Sequence, residues 1–152
     1  MNKSQLYLKT IFCCIACDGE IVDRELDVLY RVVRESEDMF RGVDVREILN
    51  CFLEEIRSTG HAFLRKCLSE LREADLSDHE QLEVLDLCFR SIESDENISS
   101  EEISFFKHVR ACLPIPDSQI LERMPDKEDY LFPDIRQDDY FSLDIPWYSL
   151  SI

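Results

Sequence analysis

Apolar residues recur every three to four positions from residue 4 to residue 113, and no other feature constrains the fold of this 152-residue chain as strongly. Leu8, Ile11, Phe12 and Ile15 form the first such stripe, and similar stripes follow along the whole region. This spacing puts apolar side chains on one face of an α-helix, whereas a half-buried strand alternates apolar and polar residues. We find no convincing alternation here, so the sequence predicts an all-α bundle of six or seven helices.

Helix-start signals fall between the apolar stripes. Ser77 precedes Glu80 by three residues, and Ser99 precedes Glu102 by the same interval. Both pairs match the capping box, in which each side chain accepts a hydrogen bond from the backbone N–H of the other residue. Asp44 precedes the third apolar stripe and is predicted to cap the third helix.

The composition changes after residue 113. Residues 114–152 contain all five prolines, nine acidic residues against three basic ones, and six of the fifteen aromatic residues. We therefore divide the chain into a helical domain, 1–113, and a C-terminal segment, 114–152. Asp117 to Met124 is predicted to form one short helix that Asp117 caps. Disordered tails are normally poor in aromatic residues, so the rest is expected to be extended and to pack on its own domain; the alternative is docking on a partner or neighbouring subunit.

The helical domain contains an internal repeat. When the sequence is shifted by 77 residues, residues 6–33 align with residues 83–110 and their apolar positions correspond. Each copy contains the pattern D-x-x-I-x-x-x-E, beginning at Asp18 in the first copy and at Asp95 in the second. Each copy therefore predicts a helix, a short loop and a second helix. The Asp lies at the end of the first helix and the Glu lies in the first turn of the second.

The repeated acids are candidate ligands for a divalent cation: Asp18, Glu25, Asp95 and Glu102. An Asp in a loop and a Glu seven residues later, one turn into a helix, can converge on one point. Carboxylate oxygens are the ligands that hard cations such as Ca²⁺ and Mg²⁺ prefer. The spacing therefore favours a cation site at these loops.

Two other interpretations of the acids stay open. The first copy matches the second half of an EF-hand loop, but Cys14 and Ala16 stand where the early oxygen ligands would be. Alternatively, the acids serve only as helix caps, because negative charge in a first turn favours the helix dipole. That explanation suits Glu102, whereas Glu25 follows Val22 and has no capping-box partner.

At these residues the sequence resembles the tellurite-resistance TerB-like family, whose signature is a helix that ends in A-x-D-G-x-I-x-x-x-E and a weaker second copy. Here the signature runs from Ala16 to Glu25, and the second copy runs from Ser94 to Glu102, with Glu96 in place of the glycine. The resemblance covers residues 4–113. It implies a compact helical bundle in which two halves bring their acidic loops together. It also implies that the four repeated carboxylates bind a divalent cation, and it links the chain to tellurite or other stress responses.

The net charge excludes several classes of partner. The chain has 33 acidic residues against 17 basic ones, a net charge of −16. Binding to nucleic acid or to anionic lipid needs clustered lysines and arginines. No stretch approaches the roughly 18 apolar residues that a membrane-spanning helix needs, and no export signal is recognisable. We therefore expect a cytoplasmic protein that binds neither nucleic acid nor membranes.

The seven cysteines include the cluster Cys13-Cys14-x-x-Cys17, whose spacing invites a zinc or redox interpretation. However, the cluster lies within a helical apolar pattern, and no second Cys or His pair with matching spacing lies nearby. We therefore interpret all seven cysteines as reduced thiols, and the cysteines of the cluster as small buried apolar residues.

The sequence supports two classes of function. The first is a non-enzymatic domain that binds a divalent cation, Ca²⁺ or a similar ion, through its two acidic loops. The second is a protein-interaction module in which acidic faces or the aromatic tail recognise a basic or helical partner without metal. We expect no enzymatic activity, because the sequence has no recognisable nucleophile–base arrangement, phosphate-binding loop or closed zinc pattern.

Overall fold

A computed structural model describes residues 2–17, 23–93 and 100–127, and these residues form seven α-helices and no β-strand. The helices are α1 (Lys3–Ala16), α2 (Asp23–Glu35), α3 (Val45–Thr59), α4 (His61–Glu73), α5 (Asp78–Glu93), α6 (Ser100–Ala111) and α7 (Asp117–Arg123). Short 3₁₀ helices follow α2 and α7, at Glu37–Phe40 and Pro125–Lys127. The prediction of an all-α bundle of six or seven helices is confirmed.

Side-chain caps begin two of the helices where the sequence predicts them. At the start of α3, the backbone N–H of Glu47 donates to Asp44 Oδ1 at 3.2 Å. At the start of α5, the N–H of Ser77 donates to Glu80 Oε1 at 2.9 Å, and the N–H of Glu80 donates to Ser77 Oγ at 3.2 Å. These two predicted caps are confirmed, whereas Ser99, the third, lies outside the described residues.

Helix α1 is the centre of the bundle. It packs against α2, α3, α4, α5 and α6, and all of residues 6–17 are buried. Two of these residues, Lys9 and Thr10, are polar. The Nζ atom of Lys9 lies 2.5 Å from Glu70 Oε1 and 4.8 Å from the centre of the Phe63 ring. The hydroxyl of Thr10 donates to a backbone carbonyl one turn earlier, so both buried polar groups have partners, as burial requires.

Aromatic contacts join the helices in each half of the bundle. Phe12 of α1 meets Phe52 of α3 and Phe63 of α4, with ring centres 5.6 and 5.8 Å apart. Phe89 of α5 meets Phe106 of α6, with ring centres 4.4 Å apart. Phe12 and Phe89 occupy equivalent positions in the sequence repeat. The repeat therefore places a buried phenylalanine at the same point of each half.

The first part of the C-terminal segment belongs to the core. Ile115, Ile120 and Met124 are buried, and α7 forms as the sequence predicts. The predicted cap of α7 is wrong: the N-cap residue is Pro116, and no side-chain cap bond forms. Asp117 lies instead in the first turn, where its Oδ1 atom accepts a hydrogen bond from Arg110 Nη2 at 2.5 Å. The prediction that the rest of the segment packs on the domain concerns residues 128–152, which lie outside the described residues.

Helix length bears on the membrane prediction. The longest helix in the described ranges, α5, has 16 residues, whereas a transmembrane helix needs about 20 predominantly apolar residues. Among residues 2–17, 23–93 and 100–127, no helix is long and apolar enough to cross a bilayer.

Candidate metal centre

Two helix–loop–helix units carry the candidate ligands. Helix α1 ends at Ala16 and α2 begins at Asp23, while α5 ends at Glu93 and α6 begins at Ser100. Both pairs of boundaries differ by 77 residues, the same interval as the sequence repeat. Within the described residues, α1 and α5 precede the two acidic loops, and α2 and α6 follow them. The sequence repeat therefore corresponds to two helical units that occupy equivalent places in the two halves of the chain.

Helices α1 and α5 run side by side in the same general direction. Near their N-terminal ends, Lys3 Nζ lies 2.7 Å from Glu80 Oε2. Nearer their C-terminal ends, the thiols of Cys14 and Cys88 are neighbours, and their interaction helps to raise the pKa of Cys14. The first contact joins the beginnings of the two helices and the second joins positions near their ends, so α1 and α5 are parallel. Their C-terminal ends therefore lie at the same end of the bundle. Both helices therefore end on the side of the bundle from which the chain continues toward α2 and α6.

Glu25 and Glu102 occupy equivalent positions in α2 and α6. Each is the third residue of its helix. The Oε2 atom of Glu25 is shielded from solvent, and Glu102 is only 5% exposed. Acidic residues are rarely buried as deeply as Glu102 unless they are paired, because removing a carboxylate from water costs several kcal/mol. These two acids therefore differ from the exposed acids that hydrate a protein surface.

The other two predicted ligands, Asp18 and Asp95, lie outside the described residues. Among the residues that are described, no group of three or more His, Cys, Asp or Glu side chains is arranged to hold a metal ion. The described part of the chain thus contributes two of the four predicted carboxylates, one from each half of the bundle.

The cysteines of α1 lie in the core. All seven cysteines of the chain are described; six are buried, Cys51 is exposed, and none forms a disulfide. Burial raises the pKa of the Cys13 and Cys14 thiols well above its usual range. A raised pKa favours the neutral thiol, whereas the thiolate is the form that attacks electrophiles and coordinates metals. The interpretation of Cys13, Cys14 and Cys17 as small buried apolar residues is confirmed.

A charged cleft is the feature that the sequence analysis missed. Its volume is about 460 Å³, and it lies where the end of α2, the 3₁₀ helix after it, α5 and α7 meet. We call it the arginine cleft, because its basic lining residues are Arg34, Arg90 and Arg123. The three arginines lie on three separate helices and share no sequence motif. Their proximity follows from the packing of the helices, and no spacing in the sequence could have revealed it.

No protein-family model, curated protein or solved structure matches the chain. Its function is therefore inferred from the repeated helical units, the shielded oxygens of Glu25 and Glu102, and the charge of its surfaces.

Proposed function

We propose that this chain is a non-enzymatic, cytoplasmic TerB-like domain that binds a divalent cation, Ca²⁺ or a similar ion, through its two acidic loops. The proposed ligands are Asp18, Glu25, Asp95 and Glu102. The observation that carries the proposal is the equivalent position of Glu25 and Glu102 in the repeat, together with the burial of Glu102 and of the Oε2 atom of Glu25. A role in tellurite or another stress response rests on the family resemblance alone.

A bound cation accounts for the repeated acids in physical terms. Carboxylates held close together repel one another unless a cation or bound protons neutralise them. Asp and Glu oxygens are the ligands that Ca²⁺ and Mg²⁺ take in proteins. The common direction of α1 and α5 also supports the proposal, because both helices end on the same side of the bundle. Helix capping alone accounts less well for Glu25, because Val22 cannot serve as its capping-box partner.

Thermal unfolding with Ca²⁺, with Mg²⁺ and with a chelator tests the proposal. A cation at 100 times its Kd that binds only the folded chain stabilises it by about 2.7 kcal/mol. For a chain of this size, that corresponds to a rise of roughly 5–10 °C in the unfolding midpoint. We expect Glu25→Gln and Glu102→Gln each to reduce this rise, because each removes a charged ligand. Asp18→Asn and Asp95→Asn should act in the same way.

Asp27→Asn and Glu101→Gln are the matched controls. Both acids are exposed, and each lies within two residues of a proposed ligand. Each control removes one negative charge, as the ligand variants do, so general electrostatic effects are held constant. The controls should keep the full rise in midpoint. The proposal fails if no cation moves the wild-type midpoint, or if ligand variants and controls respond alike.

A further inference from the structure

Two arginines of the arginine cleft are available to a ligand. Arg90 is held in the wall, where its Nη2 atom donates to Ser36 Oγ at 2.6 Å and its Nε atom lies 3.3 Å from Asp86 Oδ2. Arg34 and Arg123 are exposed. Within the described residues, neither of these two forms a hydrogen bond or an ion pair. The cleft therefore presents two guanidinium groups whose donors are not used by the bundle.

The arginine cleft also contains acidic residues, and most of them are already paired. Five acids line the cleft, and three of them pair with a neighbouring basic side chain. The pairs are Asp38–Arg41, Glu83–His79 and Asp86–Arg90. The other two, Glu35 and Glu37, are exposed to solvent. The lining therefore contains more acidic than basic residues, and an anionic ligand gains from the cleft only where it contacts Arg34 and Arg123 directly.

Arginine recognises two kinds of chemical group. Its planar guanidinium pairs with carboxylates and stacks on the faces of aromatic rings. Residues 128–152 of this chain contain six acidic residues, one basic residue and six aromatic residues. This segment therefore offers, at high density, both of the groups that Arg34 and Arg123 can bind.

The described part of the chain ends close to the arginine cleft. Arg123 is the last residue of α7, and Lys127, the last described residue, follows four positions later. Lys127 Nζ lies 2.5 Å from Glu93 Oε1 and 5.4 Å from the centre of the Phe89 ring. Both contacts are on α5, the helix that provides Arg90 to the cleft. The 25 residues beyond Lys127 span at most about 90 Å when extended, so they can reach and cross the cleft.

From these observations we propose that residues 128–152 dock in the arginine cleft of the same chain, where their acidic and aromatic side chains contact Arg34 and Arg123. Docking within one chain requires little intrinsic affinity, because covalent linkage to the bundle raises the effective concentration of the segment, up to the millimolar range for a short connection. The proposal concerns residues outside the cation site and does not depend on metal binding. The proposal explains why residues 128–152 are rich in aromatic side chains: these side chains can stack on Arg34 and Arg123, which have no partner among the described residues.

Trp147, the one tryptophan of the chain, reports on docking in the full-length protein. We expect acrylamide to quench its fluorescence more weakly than that of free N-acetyltryptophanamide, because docking shields the indole ring. The double variant Arg34→Gln/Arg123→Gln should lower the ratio of docked to free segment by about two- to tenfold and raise the quenching.

Arg46→Gln/Arg57→Gln is the matched control, because it removes the same charge from two exposed arginines of α3. Acrylamide should quench Trp147 fluorescence in this control as weakly as in the wild type. Circular dichroism verifies that both double variants are folded. Trypsin cleavage after Arg136, the single basic residue of the segment, gives a second readout and should be faster in the cleft variant than in the control. The proposal is overturned if wild-type Trp147 is quenched as strongly as the free analogue. It is also overturned if the cleft variant and the control behave alike, which would place the segment elsewhere on the bundle or on a partner.

Discussion

The two halves of the bundle share one sequence pattern but differ in their surroundings. Helices α1 and α5 are equivalent in the repeat, yet α1 packs against α2 to α6, whereas α5 packs mainly against α1, α2 and α6. Residues 6–16 of α1 are all buried, while α5 alternates buried residues with partly exposed ones. Equivalent residues should therefore contribute different amounts to stability. The sequence repeat specifies the local helical structure of both halves, whereas tertiary packing determines that α1, and not α5, lies at the centre of the bundle.

The largest effects are expected at the equivalent residues Phe12 and Phe89. Truncating a buried phenylalanine to alanine costs about 3–5 kcal/mol. We expect Phe12→Ala to lie near the upper end of this range, because its ring contacts both Phe52 and Phe63 on two other helices. Phe89→Ala should lie near the lower end, because α5 packs against fewer helices than α1 does. Urea unfolding measures both, and equal losses would mean that the central position of α1 adds nothing to its contribution.

A smaller but sharper contrast is expected at Lys9 and Asp86, which also occupy equivalent positions. The Lys9 side chain is 5% exposed in its pair with Glu70, whereas the Asp86 and Arg90 side chains are 35% and 36% exposed. Lys9→Ala should cost about 3 kcal/mol, because it removes one partner of a largely buried ion pair. Asp86→Ala should cost less than about 1 kcal/mol, as for most surface pairs.

The double variant Lys9→Met/Glu70→Leu is the control for the Lys9 prediction. Replacing both partners of a buried ion pair with apolar residues is often neutral or stabilising, so most of the loss should be recovered. If the double variant is as unstable as Lys9→Ala, the loss comes from packing and not from an unpaired charge.

The smallest effect is expected at Lys3 and Glu80, equivalent residues that bind each other across the two halves. Hydrogen bonds from Lys3 and from the Ser77 N–H lower the pKa of Glu80 from 4.5 to about 2. Because the pKa is lower in the folded state, this carboxylate contributes its full stabilisation above about pH 4.5 and loses it as the pH falls toward 2. Glu80→Gln should therefore cost about 0.5–1 kcal/mol at pH 7 and less at pH 3.

Urea unfolding of Glu80→Gln at pH 7 and at pH 3 checks this dependence. Glu54→Gln is the control, because Glu54 is an exposed acid of α3 that should show little loss at either pH. An equal loss at both pH values in the Glu80 variant would contradict a role for its charge.

Features set by neighbouring residues could be predicted from the sequence. The caps at Asp44 and Ser77 depend on side chains three residues from the groups they bind, so a short pattern is sufficient. Asp117 shows where this reasoning fails. Its carboxylate binds Arg110, a residue on the preceding helix, and Pro116 takes the N-cap position. A competing partner from another helix is invisible to a pattern read along one helix.

Features that depend on how helices assemble could not be predicted. The apolar spacing of α1 indicated one buried face, but all sides of the helix are buried, and Lys9 and Thr10 are buried with them. The candidate functional residues likewise divide into those that could be predicted from the sequence and those that could not. The helix positions of Glu25 and Glu102 followed from the repeat, whereas the arginine cleft is assembled from three helices distant in sequence.

The central position of α1 has a consequence for synthesis of the chain. Among its packing partners, α5 begins at Asp78 and α6 begins at Ser100. A ribosome adds about 5–20 residues per second, so roughly 5–20 s separate the synthesis of α1 from that of α6. During this interval α2, α3 and α4 can cover part of α1, but the faces that α5 and α6 bury in the native bundle stay exposed. We therefore expect α1 to be the part of the nascent chain that chaperones bind, and the bundle to close only after α6 has emerged.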